Sequence, residues 1–127
     1  MDRARLFLAV NALLWLPYGL YLLARPDALA EIAGVVGATP TGRTELRAMY
    51  GGLQAAIGVL ALLATLRHDL RRTALVTLAF LTGGLFTGRV SAVVVGGGIS
   101  AYTVGALLLE VTLAGLSTAL LRQTPRS

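Results

Sequence analysis

The chain reads as an all-α membrane protein, a bundle of four transmembrane helices, and three observations predict it. First, 56% of its 127 residues are hydrophobic and only 13% are charged, with a mean hydropathy of +0.76. A soluble domain carries about a quarter charged residues, so this chain cannot cover a water-facing surface. Second, four apolar runs are long enough to cross a hydrocarbon layer, which takes roughly 17–25 helical residues. They span about 6–23, 45–66, 73–91 and 100–121. Third, the basic residues flank these runs rather than forming a stripe. The net charge of +5 therefore signals membrane topology, and no nucleic-acid partner is expected.

The first run follows a short basic lead with Arg3 and Arg5. Ala28-Leu29-Ala30 resembles a signal cleavage site, but the run exceeds a signal core, and Trp15, Pro17, Tyr18 and Tyr21 suit a spanning helix. Asn11 is its one amide, expected to hydrogen-bond to a neighbouring helix. Arg25-Pro26 should end the helix, because proline disfavours helix at the residue before it. Residues 28–33 then form a short amphipathic piece in the first outer loop, and 34–42 read as loop.

Thr44 is the expected N-cap of the second span, with Glu45 at the positive end of its dipole. Arg47, Tyr50 and Gln54 fall at i, i+3 and i+7, on one face of a regular helix. Two rows of small residues run along this span, Ala48/Gly52/Ala56 and Gly51/Ala55/Gly58, and such rows let helices approach closely in lipid. Residues 67–72 make a short basic turn, and its lone His68 reads as solvated. The third span carries Arg89 near its end, and the fourth carries Glu110 near its middle. The tail from Arg122 to Ser127 should be disordered. The chain counts as a single membrane domain of residues 1–127 with both termini cytoplasmic, since Arg3, Arg5, Arg67, Arg71, Arg72, Arg122 and Arg126 fall on one side of a four-span arrangement.

Polar groups inside such runs cost several kcal/mol unless paired or wetted, so they mark the candidate site. Arg89 is within reach of Glu110, and this pair is the expected acid–base centre. Glu45, Arg47, Tyr50, Gln54, Asn11, Trp15, Tyr18 and Tyr102 are the expected ligand-binding groups of an outward-facing polar and aromatic pocket. A lipophilic small molecule and membrane lipid are the expected partners. Acid–base isomerisation or cyclisation is the chemistry such a site would suit. The competing readings are a purely structural network, an assembly protein acting as a homo-oligomer through its glycine faces, and a small transporter subunit. With no cysteine and a single histidine, no metal site is expected, and no cofactor motif occurs.

The run Arg47-Ala48-Met49-Tyr50-Gly51-Gly52-Leu53-Gln54, with Gly88-Arg89 late in the third span and the single Glu110 in the fourth, resembles the bacterial membrane family called domain of unknown function 4345. The resemblance covers essentially the whole chain. It implies a four-helix bundle broadly similar to DoxX-like membrane proteins, in the bacterial plasma membrane as a multi-pass protein. It implies no activity. The small multidrug exporters have a similar size and span count, but they carry an essential acid in the first helix, where this chain has Asn11.

Overall fold

The structure, a computed structural model, describes residues 1–126 and is helical throughout its ordered elements. Four helical stretches are long and apolar enough to cross a membrane: Arg3–Ala24, Pro40–Leu66, His68–Val94 and Ala101–Gln123. Two compact units divide the chain, Met1–Arg71 and Arg72–Ser127.

In the first unit, α1 runs from Arg3 to Ala24. The Asp2 carboxylate caps it by accepting from the Arg5 backbone N–H at 2.8 Å. It ends where expected: Arg25, at φ −132° and ψ 71°, has left the helical region ahead of Pro26. Helix α2, Ala28–Ala33, is the anticipated short piece, closed by Gly34 in the left-handed region at φ 69°.

The second span departs from its expected start. Thr39, not Thr44, is the N-cap of α3, Pro40–Leu46, and its hydroxyl accepts from Gly42 N–H at 3.0 Å. Pro40 at the first helical position needs no amide partner and comes with the right φ, so the helix begins inside the stretch expected to be loop. Thr44 turns its hydroxyl back to the Pro40 carbonyl at 3.1 Å. A π-helical segment, Arg47–Gly52, then leads into α4, Leu53–Leu66.

Helix α1 packs on this span through glycine. A Cβ placed on Gly19 would collide with the Ala55 backbone nitrogen and lie 2.8 Å from the Gly51 carbonyl oxygen. One on Gly58 would lie 2.6 Å from Leu16 Cα, and one on Gly51 2.8 Å from the Leu23 nitrogen. Of the two small-residue rows, Gly51/Ala55/Gly58 is therefore the packed one, and Gly51, Ala55 and Gly58 are buried. Ala48 and Ala56 are exposed, and a Cβ on Gly52 would meet only the Arg47 carbonyl, at 3.8 Å.

The second unit is built from α5, Arg71–Val94, and α6, Ala101–Gln123, joined through Gly96 at φ 104°. Ser100 caps α6 by accepting from Thr103 N–H at 3.2 Å. Two side-chain ties join the helices and fix them antiparallel. Arg89, near the end of α5, meets Glu110, and Arg72, at its start, donates to the Leu121 and Thr124 carbonyls at 3.4 and 3.1 Å. The latter bonds cap the C-terminus of α6, where a cation also offsets the helix dipole. Helix α6 continues to Gln123 and Thr124–Arg126 follow in defined positions, so disorder does not begin at Arg122; Ser127 lies outside the described residues.

Candidate functional site

Glu110 lies nine residues into α6, about 13 Å from the start of that helix at 1.5 Å per residue. It is only 4% exposed. Arg89 lies five residues before the end of α5, about 7 Å from it. The long guanidinium stem covers the difference in depth. Arg89 Nε donates to both carboxylate oxygens, at 3.1 and 3.2 Å, and Nη2 donates to Oε1 at 2.7 Å. This is the fork geometry in which arginine binds a carboxylate most strongly. The Arg89 side chain keeps 29% of its surface, and its Cζ stands 5.8 Å from the centre of the Tyr102 ring. That distance is within cation–π range. Tyr102 is half-buried on the first turn of α6, and its hydroxyl makes no hydrogen bond among the described residues. The last two spans thus bring together three of the expected site residues: Arg89, Glu110 and Tyr102.

The first unit places the remaining ones. Asn11 is fully buried, but among the described residues it does not bond to a neighbouring helix. Its Nδ2 donates to the Phe7 carbonyl at 2.9 Å, and its Oδ1 accepts from Trp15 Nε1 at 3.1 Å. At a four-residue spacing both partners lie on its own helix, so the amide is satisfied locally before a neighbour is needed. Tyr18 is half-buried. Glu45 and Arg47 are exposed, as interfacial side chains are, and neither forms an ion pair among the described residues. Tyr50 and Gln54 are half-buried, and the Gln54 Oε1 atom is shielded from solvent without a hydrogen-bond donor among the described residues.

Regular α-spacing does not hold for Arg47, Tyr50 and Gln54. An i→i+5 turn takes about one residue more than an α-turn, so the π segment rotates Arg47 off the face that an unbroken helix would give it. Tyr50-Gly51-Gly52 was the available signal, since two successive glycines and an aromatic residue are weak helix formers. The Arg72 cap of α6 was also missed. It has no local signature, because the partners are separated by 49 and 52 residues.

Outside the membrane-spanning stretches, the Asp2 carboxyl is held below its ordinary pKa by the Arg5 backbone N–H, and then by Arg71, whose Nη1 lies 2.6 Å from it.

Among known proteins, the family model described as domain of unknown function (DUF4345) matches residues 3–121. No curated protein and no solved structure matches the chain.

Proposed function

The chain belongs to the DUF4345 family, and from that premise and its site we propose that it binds a lipophilic small molecule within the membrane, with the ligand's polar head received at Arg89, Glu110 and Tyr102. One observation carries the reading: a forked Arg89–Glu110 pair inside two apolar helices, with the acid 4% exposed. Ionisable groups at such depth are costly and mark sites by default. A buried ion pair is also a poor route to stability, since apolar residues of similar volume do as well or better. The Tyr102 hydroxyl offers a donor suited to a carbonyl, hydroxyl or carboxylate head group, beside the positive charge of the Arg89 side chain. The apolar helix surfaces around them suit its tail. Conversion of the ligand by acid–base isomerisation or cyclisation would need Glu110 to exchange a proton, and so to open its bonds to Arg89. The arginine placement supports cytoplasmic termini in a bacterial plasma membrane.

The test is recovery of bound ligand. Protein purified into lipid nanodiscs is extracted with organic solvent, and the extract is compared with that of Glu110→Gln by mass spectrometry. The reading expects a lipophilic compound enriched over bulk lipid in the wild type and depleted in the variant. Equal recovery from both removes it.

Assembly as a homo-oligomer is the second reading. A Cβ on Gly83, Gly84, Gly88, Gly105 or Gly115 would meet nothing within 4 Å, so these glycines leave room for another backbone. A strict monomer in nanodiscs excludes it.

A further inference from the structure

At the end of the second unit remote from Glu110, a hollow of about 500 Å³ is lined by Arg72, Thr118, Leu121, Arg122, Thr124, Pro125 and Arg126. Three of the seven residues are arginines and none is acidic. The acid nearest in sequence, Asp69, is already paired with Arg67 at 2.8 Å. We propose that this hollow binds the phosphate headgroup of an anionic phospholipid.

The donors point to an anion. Arg122 and Arg126 are exposed and make no hydrogen bond or ion pair among the described residues. Arg72 spends only Nη1 on the Leu121 and Thr124 carbonyls, so its Nε and Nη2 donors remain for a ligand. The same bonds remove an obstacle. The open C-terminus of a helix is negative and repels phosphate, and the Arg72 guanidinium covers it. The hydroxyls contribute little, because Thr118 and Thr124 donate to the Ala114 and Leu120 carbonyls at 2.8 and 2.9 Å. Recognition therefore falls to guanidiniums, which match phosphate oxygens with paired donors.

The position points to lipid as the source. Arg122 is in the last turn of α6, and Arg72 is in the first turn of α5. Helices of 23 and 24 residues are about 35 Å long, slightly more than the hydrocarbon layer. Their ends therefore reach the headgroup zone. Leu121 and Pro125 supply an apolar wall for the glycerol and upper acyl chain, which free phosphate would not use. Basic pockets between transmembrane helices at this depth hold anionic headgroups elsewhere.

Native mass spectrometry of the full chain, released from nanodiscs of phosphatidylcholine containing one-tenth phosphatidylglycerol, tests the proposal. The expected result is one phosphatidylglycerol retained per chain in preference to phosphatidylcholine. Removing an arginine at a headgroup surface lowers affinity about fivefold, so the double variant Arg122→Gln/Arg126→Gln should lower it about 25-fold. Arg122→Lys/Arg126→Lys should keep most of the binding. Both pairs are exposed, so helicity should match the wild type in phosphatidylcholine alone, and this is checked by circular dichroism. Equal retention of phosphatidylcholine, or unchanged retention of phosphatidylglycerol by the glutamine variant, overturns the proposal. Displacement by soluble glycerol phosphate at the same concentration as a short-chain phosphatidylglycerol overturns the lipid assignment.

Discussion

Replacing Arg89 with methionine separates the two halves of the buried pair, and the structure makes their costs unequal. Methionine keeps an apolar stem and removes the guanidinium. Glu110, 4% exposed, then loses all three donated hydrogen bonds and has almost no water to replace them. Stranding a buried charge in this way costs about 3–5 kcal/mol. The reverse change, Glu110→Gln, is milder. The amide oxygen still accepts from Arg89, and the arginine side chain is already 29% exposed, so its charge is not stranded. The loss of a charged hydrogen bond suggests about 1.5–3 kcal/mol. Removing both charges, as Arg89→Met/Glu110→Met, should recover most of the stability, because apolar replacement of a buried pair is often neutral or favourable. Reversible unfolding in mixed micelles, followed by helical circular dichroism, gives all three values. If Glu110→Gln costs as much as Arg89→Met, or if the double variant is no better than Arg89→Met, the account of the pair is refuted.

Gly58→Leu should destabilise the chain by about 3 kcal/mol or more, the upper end of overpacking costs, because even its Cβ would lie 2.6 Å from Leu16 Cα; Gly84→Ala, where a Cβ meets nothing within 4 Å, should instead stabilise by about 0.5–1 kcal/mol, and thermal unfolding compares the two. Asn11→Leu leaves the buried Trp15 Nε1 without its acceptor and should cost about 1–3 kcal/mol, again read by unfolding. Asp2 makes stability pH-dependent in a definite direction. Its folded pKa is depressed, so its contribution is present above the ordinary carboxyl pKa and is lost as the pH falls through the folded value. Asp2→Asn should flatten that acid limb in a series of melting temperatures, and an unchanged acid limb would contradict the assignment.

The parts of the fold that repeat along the chain were legible in the sequence. Four apolar runs gave four long helices, and Arg25-Pro26 marked the end of the first. The Arg89–Glu110 pair was also legible, because two isolated ionisable groups in neighbouring apolar runs have few other partners. Features that depend on competing local bonds were harder to read. Thr39 and Thr44 are both good caps, and the choice turned on Pro40 fitting the first helical position. Asn11 could serve a neighbouring helix or its own, and Trp15 one turn away satisfied it first. Of the two small-residue rows, the sequence could not say which meets α1, since spacings of four and four residues and of four and three both keep small side chains on one helix face. Arg72 was read only as a topology signal, because nothing near it in sequence announces that its partners are the last carbonyls of α6.

The π segment acts as an indexing joint within one continuous rod. One surplus residue in a helical turn offsets everything before it by about 100° relative to everything after it. The exposed polar side chains of Pro40–Arg47 are thus aimed independently of Gly51, Ala55 and Gly58, which are locked against α1. Deleting one of Ala48, Met49 or Tyr50 would leave the glycine seam intact and swing Arg43, Glu45 and Arg47 around the axis, so the surface presented at that membrane edge can be re-aimed without touching the buried contacts beneath it.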